Sequence, residues 1–182
     1  PELGHYALIL ALCVSFVQGI FPLLGAHRQH PGWIALARPA TWALNLAMFF
    51  AFSCLTIAFI QNDFSVLYVA QHSNTLLPLP YRIAAVWGGH EGSLLLWAFM
   101  LGLWALGVAL FSKHLPPVMV ARVLGVLGLV TAGFLLFILV SSNPFDRLLP
   151  AAMEGRDLNP LLQDPGLIFH PPMLYMGYVG FS

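Results

Sequence analysis

Charge is scarce in this sequence. Lys and Arg number 7, Asp and Glu number 7, and charged residues make up 8 % of the 182 positions, against roughly 25 % in a typical globular protein. Hydrophobic residues account for 59 % of the chain and the mean hydropathy is +0.84. So few charges cannot cover a water-soluble fold, and the composition predicts a protein that lies largely in lipid. The net charge of zero excludes a nucleic-acid binder, which needs a basic footprint.

Several chemical signatures are also missing. The only two cysteines, Cys13 and Cys54, lie far apart in apolar runs without metal-ligand spacing, which predicts small buried hydrophobic residues and no disulfide. The sequence contains no Gly-x-Ser-x-Gly, His-Glu-x-x-His or P-loop motif. It has no Cys-x-x-Cys-His, so no covalent haem of that type is expected on this chain.

Long apolar runs dominate what remains. A membrane-spanning helix needs about 20 apolar residues, and four charge-free runs qualify, while a fifth begins near Met173. The first run has no basic segment before it, which favours an uncleaved span over a signal peptide. The sequence therefore predicts an all-α, polytopic membrane protein with spans at 6–24, 42–60, 93–111 and 123–140.

The connections differ in charge and length. The short segments 26–41 and 112–122 carry Lys or Arg and no acid, whereas the long segments 61–92 and 141–172 hold every acid except Glu2. The positive-inside rule then places the short loops in the cytoplasm and the N-terminus and both long loops outside. Because the long loops are rich in apolar residues, we expect them to lie on the membrane surface or to fold over one another.

The predicted spans contain no ionisable side chain except cysteine and tyrosine. Proton and ion pathways normally need such groups within the membrane, so a transporter or pump pathway in this segment is disfavoured. We expect the polar residues in the spans to form interhelical hydrogen bonds; these are Gln18, Asn45, Ser53, Thr56 and Thr131. Gly125, Gly128 and Ala132 predict close helix packing.

Histidine is as frequent as Lys and Arg together, with 7 residues. Five of them are interpreted as solvated or interfacial, namely His5, His27, His30, His72 and His114. His90 differs because it follows Trp87, Gly88 and Gly89 directly before the third span. Two glycines let a backbone approach a flat or bulky group, or simply form a turn. The alternative is a helix start that Glu91 or Ser93 helps to cap.

His170 is the other distinctive histidine. Pro171 and Pro172 follow it, which predicts a stiff extended backbone at His170 and prolines in the first turn of the fifth span. Leu167, Ile168 and Phe169 give it an apolar setting, which favours a neutral imidazole. The pattern suits a ligand to a large apolar cofactor; the alternative is a histidine packed at an interface.

Two segments resemble hallmarks of a known family. WGGHEGSLLLW, from Trp87 to Trp97, and EGRDLNPLLQDPGLIFHPP, from Glu154 to Pro172, are similar to motifs of CcmF, the haem lyase subunit of bacterial cytochrome c maturation. The segments 62–64 and 82–84 fit the same pattern. The nitrite-reductase-specific relative of CcmF shares these motifs. Family members are longer and carry a Trp-Gly-x-x-Trp-x-Trp-Asp segment that this sequence lacks, so the resemblance implies an N-terminal part or a split subunit.

The resemblance implies a multi-pass protein of the bacterial inner membrane with its functional loops in the periplasm. Such a protein takes b-type haem from a CcmE-type chaperone and attaches it to apocytochrome c by thioether formation, together with CcmH and CcmI. By motif, His170 is an axial ligand of the haem iron. We also expect Trp87, Gly88, Gly89 and His90 to line the haem platform. Two other classes stay open: a non-catalytic membrane scaffold, and a subunit of a transporter or proton pump.

Overall fold

Eight α-helices form most of the chain that the computed structural model describes, residues 1–160 and 163–181. Leu161, Leu162 and Ser182, and the side chain of Leu167, lie outside the described residues. The helices are α1 (Glu2–Arg28), α2 (Pro31–Ala35), α3 (Ala37–Ile60), α4 (Leu67–His72), α5 (Leu79–Ala84), α6 (His90–Phe111), α7 (Pro117–Ser141) and α8 (Pro165–Val179). A 3₁₀ turn, Ala85–Trp87, precedes α6.

Four segments are long and apolar enough to cross a membrane. They are α1, the stretch Pro31–Ile60 that α2 and α3 form, α6, and α7. They correspond to the four predicted spans, so the all-α membrane fold is confirmed. Each helix extends beyond its predicted run because the flanking residues continue the same backbone hydrogen bonding. The four pack as a bundle in which α1 contacts α3 and α7, and α6 contacts the same two helices.

The helices α1 and α7 are antiparallel. Phe145, just after α7, fills the space above Gly4 near the start of α1, while Leu129 in the middle of α7 lies against Gly19. The start of α1 and both long connections therefore share one end of the bundle, and the two short basic connections share the other. Which end faces the cytoplasm stays a prediction from the charge bias.

Glycines bring α1 and α7 into close contact, as predicted. A β-carbon on Gly128 would lie 2.9 Å from the backbone nitrogen of Gly19, and one on Gly125 would lie 2.7 Å from Cγ of Leu23. Gln18 supports the same interface, since its buried amide donates to the carbonyl of Leu124 at 2.9 Å. Small residues are what permit two backbones to approach so closely.

The other intramembrane polar residues do not bond as predicted. Asn45, Ser53, Thr56 and Thr131 each donate to the carbonyl four residues earlier in their own helix. Short polar side chains in a helix reach this carbonyl without any partner helix. The prediction of interhelical hydrogen bonds is therefore right for Gln18 and wrong for these four. The buried setting predicted for Cys13 is also wrong, since Cys13 is exposed; Cys54 is half-buried, and both are free thiols.

The two long connections fold over one another. The backbone of Leu67 donates to Asp146 and that of Leu148 donates to Ser65, both at 2.9 Å, and the backbone of Arg156 donates to Ala70 at 2.7 Å. Val66 of the first connection and Leu158 of the second are buried in the main hydrophobic core. The apolar residues of these loops thus extend the core beyond the spans.

The last helix differs from the prediction. Asp164 caps α8 by accepting a hydrogen bond from the backbone of Gly166 at 2.6 Å, and Pro165 stands in the first turn. The helix therefore begins at Pro165, ahead of the predicted start at Met173, and His170 lies inside it rather than on an extended stretch. Pro171 and Pro172 are interior residues. Asp at the N-cap followed by Pro in the first turn is sufficient to start a helix. Pro171 and Pro172 are therefore not needed to start α8.

Candidate functional site

A buried tyrosine holds the turn that leads into α6. The hydroxyl of Tyr68 accepts a hydrogen bond from the backbone N–H of Gly89 at 3.0 Å and donates to the carbonyl of Val86 at 3.0 Å. Gly92 packs so closely that a β-carbon there would lie 2.6 Å from the hydroxyl. Burial raises the pKa of the Tyr68 phenol above its ordinary range. The hydroxyl is therefore a permanent donor that fixes the 86–92 segment.

His72 lies beside the same turn. Its Nδ1 is 3.0 Å from the carbonyl of Tyr68, and its ring centroid is 4.6 Å from that of Tyr68. A β-carbon on Gly89 would lie only 2.6 Å from Nε2 of His72. His72 is half-buried, so its interpretation as solvated is wrong. The close approach at Gly89 is made by Tyr68 and His72, and the spacing of four residues between them on α4 is the sequence signal that marks this pair.

The two sequence motifs meet at Gly88. A β-carbon on Gly88 would lie 3.2 Å from Cδ1 of Leu158, a buried residue of the second motif. Trp87 is half-buried and packs against the main core, and its carbonyl accepts a hydrogen bond from the Ser93 hydroxyl at 2.8 Å. The segment therefore joins both long connections to the start of α6.

His90 is the first residue of α6 and is exposed. Its ring contacts the edge of Phe137 on α7, with centroids 6.4 Å apart and planes at 84°. An open groove of about 360 Å³ runs below this contact, lined only by Leu94, Val130, Gly133, Phe134 and Phe137. The helix start that the sequence offered as the alternative is present, with Glu91 in the first turn, but among the described residues neither Glu91 nor Ser93 forms a cap hydrogen bond. His90 thus presents an imidazole at the rim of an apolar groove.

Trp97 and Trp104 attach α8 to α6. The ring of Trp97 stacks on Tyr175 and contacts the edge of Tyr178, while its other neighbour is Phe134 of α7. The indole N–H of Trp104 donates to the carbonyl of Met176 at 3.0 Å. Later residues of α8 meet later residues of α6, so the two helices run in the same direction.

His170 is exposed on α8. Residues three, four and seven positions further on share its helical face: Met173, 71 % exposed, Leu174, 50 % exposed, and Gly177, where a β-carbon would meet nothing within 4 Å. The neighbouring Phe169 is also exposed. This face is an exposed apolar surface. It carries the imidazole of His170 and has open space beside Gly177.

Two of the arginines near the site are engaged by the protein itself. Arg82 donates to the carbonyls of Ile60, Thr75 and Leu77, and Arg147 pairs with Glu2 and Asp63. Both arginines therefore hold the long connections in place. Among the residues that the structure describes, no three His, Cys, Asp or Glu side chains form a metal-binding group, so the site offers single imidazoles.

Known proteins match this chain over its whole length. The profile of the family described as "Cytochrome C assembly protein" matches residues 87–182. The cytochrome c-type biogenesis protein CcmF is 62 % identical in Pseudomonas aeruginosa and 55 % in Escherichia coli, and NrfE of Haemophilus influenzae is 47 % identical. All of this chain is covered in each case, but only 28 %, 28 % and 29 % of the relative.

A solved structure agrees with the sequence comparisons. The chain titled "Cytochrome c Heme Lyase CcmF" superposes with a TM-score of 0.85 at 28 % identity. The match covers 98 % of this chain and 28 % of that one. The chain thus corresponds to little more than a quarter of the length of the relatives it matches.

Proposed function

The chain belongs to the cytochrome c assembly protein family, and we propose that it forms the N-terminal part of a haem lyase that binds haem and helps attach it to apocytochrome c. It is a multi-pass membrane protein, and we place it in the bacterial inner membrane. The general lyase is favoured over the nitrite-reductase-specific one because identity to the two CcmF relatives, 62 % and 55 %, exceeds the 47 % to NrfE.

The exposed face of α8 carries this proposal. A porphyrin needs an apolar surface and an accessible axial nitrogen. Met173, Leu174 and the open space beside Gly177 offer the surface, and His170 offers the nitrogen. Apolar faces of a membrane protein also meet lipid, so the imidazole on this face is the feature that supports haem binding. We therefore assign His170 as an axial ligand of the haem that is transferred, a substrate of the reaction.

The turn before α6 forms the second wall of the platform in this proposal. His90 faces the groove between α6 and α7, and Trp87 fixes the start of α6 through the Ser93 contact. Gly88 leaves space for Leu158, and Gly89 leaves space for Tyr68 and His72. These contacts set the position of His90. The thioether bonds form by addition of two cysteine thiols of apocytochrome c to the haem vinyl groups. The protein surface contributes by excluding water and by orienting the haem.

The partners follow from the same proposal. Haem arrives from a CcmE-type chaperone and leaves on apocytochrome c, with CcmH and CcmI as further subunits, all on the periplasmic side. The long connections belong on that side if the basic loops are cytoplasmic. Single-cysteine labelling of the intact protein from the periplasm should reach Gln71 and Glu154 but not His30. Labelling of His30 alone would invert this arrangement.

Replacement of His170 tests the function directly. His170→Ala in the intact protein should abolish or sharply reduce covalent cytochrome c, detected by haem staining, while protein abundance stays constant because the side chain is exposed. Added imidazole should restore part of the product by filling the vacant ligand position. His114→Ala, an exposed histidine at the opposite end, is the matched control and should have no effect. Normal maturation in His170→Ala would favour the non-catalytic scaffold.

A further inference from the structure

A cavity of about 430 Å³ opens at the end of the bundle that carries the short basic connections. It lies between α2, the start of α3 and the connection from α6 to α7. Its apolar wall includes Ile34, Val120 and Ala121, and its cationic side chains are Arg38 and Lys113. The volume falls within the roughly 300–1,000 Å³ of small-molecule sites.

The positive charge of this cavity is uncompensated. Arg38 is half-buried and donates to the carbonyls of Ala109 and Ser112 and to the Ser112 hydroxyl. These partners are neutral. Lys113 is exposed, and segments 25–41 and 112–122 contain no Asp or Glu. The cavity therefore attracts an anion that these two segments do not provide.

The position of the cavity identifies the kind of anion. The apolar helices α3 and α7 begin at its wall, so it lies at the boundary between lipid and water. Basic pockets between membrane helices on the cytoplasmic side bind anionic lipid headgroups. We propose that this cavity binds the phosphate of an anionic membrane lipid, with Arg38 and Lys113 facing the phosphate and Ile34 and Val120 contacting the start of an acyl chain. This inference is independent of the haem-binding proposal, which concerns the opposite end.

Native mass spectrometry of the intact protein tests this site. The detergent-purified protein is titrated with phosphatidylglycerol and, in parallel, with zwitterionic phosphatidylcholine. Wild-type protein should retain phosphatidylglycerol preferentially. Lys113→Gln should weaken this retention roughly fivefold, the effect of one juxtamembrane cation. Arg122→Gln is the matched control: it removes an exposed cation at the same end that does not line the cavity, and retention should stay within experimental error of wild type.

The controls make each result decisive. Lys113 is exposed, so its replacement leaves the fold intact, whereas Arg38 is left unchanged because it holds the end of α6. Equal retention of the two lipids by wild type would overturn the proposal. Equal weakening by Lys113→Gln and Arg122→Gln would show a diffuse surface field instead of a site. Displacement of phosphatidylglycerol by millimolar inorganic phosphate would identify a soluble anion as the ligand and would also overturn it.

Discussion

The indole ring of Trp97 lies parallel to the phenol ring of Tyr175, with centroids 6.2 Å apart and planes at 1°. This pair joins the first sequence motif to the helix that carries His170. Trp97 also contacts Phe134 of α7, so one side chain connects three helices. The orientation of the exposed His170 face relative to the bundle therefore depends on a residue seven positions after His90.

Trp97→Ala should loosen α8 from α6. Aromatic pairs contribute about 0.5–1.5 kcal/mol beyond the area they bury, and Trp97 makes three such contacts. Hydrogen exchange in α8 should accelerate while exchange in α1 stays unchanged. Trp104→Phe removes the hydrogen bond to Met176 and part of the ring beside Gly180 and should accelerate α8 less. Equal effects of both variants would contradict the central position assigned to Trp97.

Tyr68→Phe should destabilise the turn before α6. The variant leaves the backbone N–H of the half-buried Gly89 without its acceptor, which costs up to about 1–3 kcal/mol, and the unfolding temperature in detergent should fall. Tyr81→Phe is the control, since Tyr81 is only half-buried, and it should change the unfolding temperature little. If haem attachment depends on this turn, Tyr68→Phe should also lower maturation per molecule of folded protein. Unchanged stability in Tyr68→Phe would refute the anchoring role.

Gly128 and Gly133 lie on the same helix and should respond oppositely to alanine. A β-carbon at Gly128 would meet the backbone of Gly19 at 2.9 Å, whereas one at Gly133 would meet nothing within 4 Å. Gly128→Ala should destabilise by about 1–3 kcal/mol through overpacking. Gly133→Ala should be neutral or stabilising by up to about 1 kcal/mol, because alanine favours the helix. Thermal unfolding of both variants in one detergent checks the contrast, and a stable Gly128→Ala would contradict the α1–α7 packing.

Acid should weaken the contact between the two long connections. Glu154 accepts hydrogen bonds from the hydroxyl of Thr75 at 2.8 Å and from its backbone N–H at 3.1 Å. The Thr75 hydroxyl, followed by the backbone N–H groups of Thr75 and Gly155, holds the pKa of Glu154 below its ordinary value of 4.5. A carboxyl with a lowered folded pKa stabilises the fold above its unfolded pKa and loses this contribution as pH falls through the folded pKa.

The variant Glu154→Gln isolates this pH dependence. Wild type should unfold at a higher temperature than Glu154→Gln above pH 4.5, and the difference should shrink as the pH is lowered below that value. The expected difference is small because Glu154 is exposed and solvent screens its interactions. A difference that stays constant from neutral to acidic pH would show that charge on Glu154 does not hold this contact.

Long apolar runs made the spans predictable, whereas the start of α8 differed from its prediction. A run such as 123–140 has one stable solution in lipid, because only a helix satisfies its own backbone. His170 precedes two prolines, a pattern that disfavours a helical backbone, yet the Asp164 cap and the contacts of Tyr175 and Trp104 hold the segment in a helix. The Asp164–Pro165 pair is a local signal of a helix start, whereas Trp97 and Trp104 are distant in sequence and their contacts leave no local signal.

The sequence by itself determined the membrane fold, the grouping of basic and acidic connections, and the identity of the two motifs that mark the family. Only the tertiary structure decided what these residues touch. It brought Leu158 to Gly88 and placed His72 against Gly89, and it left the His170 face of α8 exposed. The physical reason is that hydropathy and charge act on each segment separately, whereas packing is decided by the shapes of segments that meet only after folding.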